Sequence, residues 1–297
     1  MEKPPKKKTL LVCVKKKSNI NLLRKFFEDK YEILYPHDLE KKLQKNLDLI
    51  IFDSVSFNNY RDSLLQKRQK EAPRYLPFLL LLDMRKAKYT SWYLEKGIDE
   101  IIYPPIRKVE LENRIRLLLQ LRDMSVSLHQ RAIYDSLTGL YNRRYFNEII
   151  RKEISRSRRH HHPLIVFMLD VNHFKWINDE FSHSLGDKVL KGIAGVLAKH
   201  VRESDYLFRY GGDEFLMICL ETEKGAEKIA GRIREAVKEW NRKNALFDFD
   251  LDLAIGSSIW RPEGNRNIEE VLKDADQKMY KDKEGRGRKE MREKSSN

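Results

Sequence analysis

Apolar runs at 10–14, 47–52 and 78–82, with further strand-like stretches at 31–35 and 98–103, mark the first part of the chain. Each is too short for a helix and lacks alternation, as expected of strands buried on both faces. Between the first two lies an amphipathic stretch, 19–29, with Leu22, Leu23, Phe26 and Phe27 on one side. Strands alternating with helices predict a doubly wound parallel sheet over 9–106, an α/β unit. Residues 107–131 read as one long helix. Its apolar positions Val109, Leu111, Ile115, Leu118, Leu121, Met124 and Leu128 fall near heptad spacing. That helix, within a linker at 107–134, serves as a connector or as a coiled coil between two copies. The rhythm then changes. Helices are predicted at 141–157, 187–200, 226–241 and 268–282, and strands at 164–169, 206–210, 215–220 and within 246–259. Hairpins and helices in this order predict an α+β domain over 135–297, an antiparallel sheet with helices packed on it, as in ferredoxin-like palm folds.

Composition narrows the class. The chain has 297 residues, 41% hydrophobic and 35% charged, enough apolar surface for two globular cores and too much for disorder. No apolar run approaches the ~20 residues of a membrane span. The start, MEKPPKKK, reads as a disordered basic tail at 1–8 rather than a secretory signal, so a cytoplasmic protein is expected. Two cysteines, Cys13 and Cys219, each in an apolar run, fit buried thiols and exclude a disulfide framework. A formal net charge of +14 attracts polyanions. The basic residues form neither a reading helix nor an aromatic-studded groove, so nucleic acid is not the expected partner. His160, His161 and His162 adjoin too closely to share one ion in a regular element, and read as a basic loop.

Two acidic groups stand out where strands end. Asp170 follows the apolar run 164–169, and Asp213-Glu214 follows Gly211-Gly212 at the tip of a predicted hairpin. Glycines there permit positive φ and let a bulky ligand approach the main chain. Converging carboxylates repel unless a cation or proton joins them, and hard oxygen donors select magnesium, which adds substrate phosphates to its shell. Lys175 suits phosphate charge. Asn178 and Asp187 suit a purine edge, since a carboxylate accepts from guanine N1–H and its amino group, which adenine lacks. Taken singly, each of these positions reads more readily as part of a capped helix start with solvated polar residues.

Together the motifs resemble GGDEF-domain diguanylate cyclases. The sequence 209–215 reads RYGGDEF. Asp135-Ser-Leu-Thr138-Gly-Leu-Tyr-Asn142-Arg143-Arg144 resembles that family's opening segment, Asp170-Val171-Asn172-His173-Phe174-Lys175 with Asn178-Asp179 its metal and phosphate segment, and Ala275-Asp276 to Tyr280 its closing helix. The resemblance implies condensation of two GTP into cyclic di-GMP across a homodimer. Asp170, the Val171 carbonyl and Asp213 would hold Mg2+, with Mn2+ as an alternative. Asp213 or Glu214 would assist deprotonation of the ribose 3′-hydroxyl. Phe174 and Lys175 would cradle the triphosphate, Asn178 and Asp187 would bind guanine with His183 nearby, and Gly211 and Gly212 would line the nucleotide. Arg202, Asp205 and Arg232 resemble the family's inhibitory site for its product.

The chain departs from the family pattern at three places. Asn172 stands where Asp is frequent, Ser182 replaces a common Gly, and the C-terminal phosphate-binding pair is out of register, with Lys283 and Arg286 or Arg288 as candidates. A catalytically inactive cyclic di-GMP receptor is the alternative, which the intact 211–215 motif argues against. The N-terminal unit resembles response-regulator receiver domains in outline, with Asp53 at the phosphoacceptor position. The acidic pair, the Ser or Thr and the Lys that serve a receiver are replaced by Val14-Lys15-Lys16, Asp83-Met84 and Tyr103-Pro104-Pro105, so a degenerate receiver is expected.

Overall fold

The structure is a computed structural model describing residues 7–219, 223–244, 246–247 and 249–294, with the side chains of 223, 224 and 286–294 outside that description. The chain divides into two compact units, residues 1–130 and 131–297.

In the first unit the strands are β1 (Thr9–Cys13), β2 (Glu32–Leu34), β3 (Leu49–Asp53), β4 (Phe78–Leu81) and β5 (Glu100–Ile102). They form one parallel sheet in the order β2-β1-β3-β4-β5, a doubly wound order shared by flavodoxin-like folds. Helices α1 (Lys17–Phe27) and α5 (Lys108–Ile133) cover one face. Helices α2 (Leu39–Leu43), α3 (Ser54–Glu71) and α4 (Thr90–Glu95) belong to the other half of the winding. Strand alternation explains the two cores. Leu10, Val12 and Ile51 pack with Leu23, Phe27, Leu111 and Ile115 on one face, while Leu11, Phe52 and Leu80 pack with Phe57, Leu64 and Tyr93 on the other. Of the tail expected over 1–8, residues 1–6 lie outside the described residues. Lys8 already joins the fold, its carbonyl accepting from Glu32 N–H at 2.9 Å.

The single heptad stripe expected on α5 is two stripes. Leu111, Ile115, Leu118 and Leu119 are buried in the first unit's core, whereas Leu117, Leu121, Met124 and Leu128 are 51–66% exposed, and Val109 is exposed as well. A 3.6-residue turn puts these sets on different faces. Arg122, next in line with the buried set, pins α5 to the sheet domain. Its guanidinium donates to Glu71 Oε2 (3.0 Å), Tyr75 O (2.9 Å) and Leu47 O (3.2 Å), with both ionic side chains about 5% exposed.

The second unit carries β6 (Tyr141–Asn142), α6 (Arg143–His160), β7 (Leu164–Val171), α7 (Phe174–Glu180), α8 (His183–Lys199), β8 (Tyr206–Arg209), β9 (Glu214–Cys219), α9 (Glu223–Asn244), β10 (Leu253–Trp260) and α10 (Ile268–Lys294). Sheet order is β10-β7-β9-β8-β6, antiparallel except for the β6–β8 pair. The four antiparallel strands give the ferredoxin-like βαββαβ arrangement that the sequence predicts. On β7, Ile165, Phe167, Leu169 and Val171 face the α8–α9 layer, and Leu164, Val166 and Met168 face α6 and α10. Asp170 is on the latter face. Tyr141 and Asn142, expected to open a helix, form the edge strand instead, and Asn142 then caps α6 by accepting from Tyr145 N–H (2.9 Å). Gly256 on β10 lies so close to α10 that a Cβ would stand 2.0 Å from Ala275 O and 2.2 Å from Met279 N. No described helix is long and apolar enough to cross a membrane, and both cysteines are buried.

Candidate active site

Strand β7 runs two residues beyond the expected 164–169, so Asp170 sits inside the sheet rather than after it. There it is the direct cross-strand partner of Glu214, the first residue of β9. Val171 N–H donates to Asp213 O at 3.2 Å, so the register also brings Asp213 to this end of the sheet. Strand pairing thus brings three acidic residues to one end of the sheet. Burial pushes the Asp170 carboxyl up. Lys283 pulls against it, donating from Nζ to Asp170 Oδ1 at 2.5 Å, while the charges of Asp213 and Asp276 add to the rise. Glu214 is also pushed up, by burial first and then by Asp170, Asp213 and Asp276. A site that raises two carboxyls in this way favours a cation among them.

Whether a metal fits follows from the donors. Among the described residues no three His, Cys, Asp or Glu side chains form a ready ligand cluster. Magnesium needs fewer, because one or two carboxylates plus phosphate oxygens and water complete its octahedron. Asp170 and Asp213 meet that need. Asn172 adds a hint: its Oδ1 is buried without a hydrogen-bond partner, one residue past Val171. The residues present fit a hard divalent cation that arrives with its phosphates.

The hairpin corrects one expectation. Neither Gly211 nor Gly212 lies in the left-handed region; among described glycines only Gly97 and Gly139 do. At Gly211 a Cβ would meet Glu214 Oε2 at 2.4 Å, so any side chain there would displace that carboxylate, and Gly212 borders open space where a ligand can approach. The turn is held from outside. Arg209 donates to Gly212 O from Nε (3.1 Å) and Nη2 (2.8 Å), and from Nη1 to Asp135 Oδ1 (3.0 Å). Asp135 in turn accepts from Thr138 N–H and its hydroxyl. Sequence reasoning gave Arg209 and Asp135 no role, although both lie in the quoted motifs; the signal was there without a partner to read it against.

Beside the carboxylates, α7 and α8 carry the remaining candidates. Asn178 and Phe174 rest on the backbone of Gly186, where a Cβ would collide with Asn178 Oδ1 at 2.0 Å and approach Phe174 Cζ to 3.2 Å. That close packing sets Asn178 beside Asp187, Gly186's chain neighbour. Lys175, His183 and Asp187 are exposed. Helix α8 starts at His183, four residues before expectation, because the Ser182 hydroxyl caps it by accepting from Leu185 N–H (3.2 Å). Of the C-terminal pair, Lys283 reaches Asp170, whereas the side chains of Arg286 and Arg288 lie outside the described residues.

A second cluster stands elsewhere on this unit. Arg202 and Asp205, joined through Arg202 N–H to Asp205 Oδ2 (3.1 Å), line a cavity of about 250 Å3 with Tyr134, Leu140 and Tyr141. Arg232 donates to His200 O at 2.8 Å, two residues from Arg202. In the first unit Asp53 is committed locally, its oxygens accepting from Lys15 N–H and Ser56 N–H, both at 2.8 Å, the latter capping α3.

Comparison with known proteins places these motifs in context. The family description "Diguanylate cyclase, GGDEF domain" matches residues 132–289. Diguanylate cyclase DosC of Escherichia coli K12 is 36% identical over 182 residues, 56% of this chain and 39% of DosC. Response regulator PleD of Caulobacter vibrioides is 33% identical over 252 residues, 80% of this chain and 54% of PleD, a match that extends into the first unit. The chain thus spans roughly two fifths to half of these relatives. The coiled coil and GGDEF domain of DgcB from Caulobacter crescentus, solved with c-di-GMP, superposes with a TM-score of 0.51 at 24% identity, covering 60% of this chain and 94% of that one, which shows a shared fold.

Proposed function

The chain belongs to the GGDEF domain family of diguanylate cyclases, and we propose on that ground that it condenses two GTP molecules into cyclic di-GMP, releasing two pyrophosphates. The observation that carries the reading is the pairing of Asp170 with Glu214 across β7 and β9, with Asp213 in the adjoining turn and Lys283 on Asp170. Magnesium, or manganese, held by Asp170, the Val171 carbonyl and Asp213 would neutralise and orient the phosphates. Glu214, with its carboxyl pushed up, suits acceptance of the proton leaving the ribose 3′-hydroxyl. The freed oxygen attacks the α-phosphorus of the facing GTP and pyrophosphate departs. Asn178 and Asp187 read guanine; Phe174, Lys175 and Lys283 attend the phosphates.

Each domain would hold one GTP, so turnover requires two copies face to face, a proximity effect. The exposed stripe Leu117, Leu121, Met124 and Leu128, spaced four, three and four residues apart, supports pairing through α5. Arg202 and Asp205 at the 250 Å3 cavity, with Arg232 held on the nearby His200 carbonyl, support product binding that limits turnover. With both Asp53 oxygens already bonded to amides, the first unit acts as a dimerisation or signal-binding module rather than a phosphoacceptor.

The test is turnover of GTP with Mg2+ by protein stripped of bound nucleotide, with products resolved by chromatography. Cyclic di-GMP that disappears in Asp213→Ala, Glu214→Ala protein is the expected result. Absence of product together with tight cyclic di-GMP binding would replace the reading with a receptor. Arg202→Ala should leave initial rates intact and remove the slowing as product accumulates.

A further inference from the structure

Helix α7 is a weak platform for the residues it carries. It has seven residues, well short of the ~12–15 at which an isolated helix begins to hold itself in water. Of its side chains only Ile177 is buried. It opens from His173 at φ 58°, a left-handed conformation that a residue with a side chain adopts at a cost. Yet Lys175 and Asn178 lie on it, and Asn178 must keep its place beside Asp187 to read a base. Phe174 and Asn178 fix one flank against Gly186.

Aromatic rings fix another. Trp176 lies two residues from Asn178 and therefore on a different side of the helix. It meets Phe181, the residue that ends α7, edge to face with centroids 5.6 Å apart, and Phe249 in the same way at 5.2 Å. Phe181 meets Phe247 at 5.1 Å, and Phe247 stacks on Phe249 at 4.7 Å. The four rings close a circuit in which each touches two others, in the edge and offset arrangements that ring quadrupoles favour. Two come from α7 and its end, and two from the segment joining α9 to β10. Phe247 and Phe249 also pack against the core under α8 and α9. That segment is tied down where it returns to the sheet. Asn241 clasps Leu251, donating from Nδ2 to its carbonyl (2.8 Å) and accepting from its N–H (3.3 Å), and Asn172 N–H donates to Asp252 O (3.0 Å). Trp176 and Phe181 remain 46% and 48% exposed, so burial of apolar surface accounts for only part of what they supply.

We propose that Trp176, braced by Phe249 and the rings beside it, is a positioning residue that holds α7 at the angle presenting Asn178 to the guanine base and Lys175 to the phosphates. The segment between α9 and β10 thereby contributes to nucleotide selection through α7. The roles of Asn178 and Lys175 rest on the cyclase reading; the brace itself does not.

The test compares the full chain with Trp176→Ala, Phe249→Ala, the two together, and Trp176→Phe. Hydrogen exchange without nucleotide reads the brace. Amides of residues 177–181 should exchange about tenfold faster in both alanine variants, the scale of one lost edge-to-face pair, while those of β7 and α8 keep the parent's rates. Calorimetric titration with 3′-deoxy-GTP and 3′-deoxy-ATP, which lack the attacking hydroxyl, reads the positioning. The Kd for the guanine nucleotide should rise about tenfold and that for the adenine nucleotide much less, a narrowing of preference that a purely structural role would not produce. In turnover the loss should fall on KM more than on kcat, since reading the base serves ground and transition states alike. The single variants break one shared contact, so together they should cost no more than either alone, and Trp176→Phe should recover most of each readout. Parental exchange rates in Trp176→Ala, or faster exchange with the guanine preference intact, would overturn the proposal. A parent that prefers the guanine nucleotide but makes no cyclic di-GMP would count against the cyclase reading alone, because exchange and base preference are read without turnover.

Discussion

Replacing Gly256 by Ala adds one methyl group at the tightest contact between β10 and α10. The new Cβ would lie 2.0 Å from Ala275 O, 2.2 Å from Met279 N and 2.9 Å from Lys278 C, whereas ordinary contact begins at 3.4 Å. All three obstacles are main chain, so no rotamer relieves them, and α10 must lift from the sheet by more than 1 Å. Overpacking of this kind costs about 1–3 kcal/mol; with an immovable backbone the upper half, about 2–3 kcal/mol, is expected. For a unit of this size that corresponds to a loss of about 4–12 °C in Tm. Because α10 carries Lys283 against Asp170, the same displacement should lower turnover. The assay is differential scanning calorimetry of the second unit's transition, with GTP turnover measured in parallel. Gly195→Ala is the control. It sits on α8 with nothing within 4 Å of its added Cβ, and should stabilise by about 0.5–1 kcal/mol. A Gly256→Ala protein melting within about 1 °C of the parent would refute the reasoning, since the strand and helix would then yield without cost.

Other perturbations follow from described contacts. Arg122→Ala leaves Glu71 to Lys67 and Arg74 and strips a donor from the Tyr75 and Leu47 carbonyls, and should destabilise the first unit by about 1–3 kcal/mol, read by urea denaturation, with Arg122→Met, Glu71→Gln together costing less. Burial alone would raise the Glu71 carboxyl, but Arg122 and Lys67 hold it below its ordinary 4.5; the stability it contributes is present above that pH and fades as the pH falls. At Asp170 and Glu214 the sign reverses: both are raised, so their stabilising effect is complete below the ordinary carboxylate range and lost as pH rises. Mg2+ should therefore raise Tm more at alkaline than at mildly acidic pH, where protons compete for the same oxygens; the opposite order in thermal melts would contradict cation binding there. Asp282→Ala removes the acceptor of Ile255 N–H (2.9 Å) and the partner of Arg234 (3.0 Å), at about 1–3 kcal/mol for the stranded amide. Asp282→Asn keeps an acceptor oxygen and should lose less, as chemical denaturation would report.

Periodicity carried the strands and most helices because burial on one or two faces is written locally. The apolar run of β7 ahead of a carboxylate, and the hairpin around 211–214, were legible for that reason. What pairing decides was not. That Asp170 faces Glu214 inside the sheet depends on the register between β7 and β9, set by residues 44 to 54 positions apart. Gly211 and Gly212 suggested positive φ, yet their small size serves Glu214 and open approach. The heptad-like list on α5 merged two faces, because Arg122 stands where the buried stripe needs an apolar residue and the sequence does not name Glu71 as its partner. Helix α7 escaped notice for lack of length; its seven residues carry one fully buried side chain, Ile177.

The sheet margins of both units have a consequence for solubility. A protein proposed to work by meeting its own copy needs to prevent the wrong meeting, strand edge to strand edge, which seeds fibres. In the second unit β10 is partly covered by side chains, Asp282 on an amide and Lys278 on a carbonyl. Strand β6 at the far margin is two residues long and is already bridged by Tyr134. In the first unit β2 and β5 have three residues each. Short margins at β2, β5 and β6, and side chains laid over part of β10, steer association at high concentration away from β-stacking and towards helices.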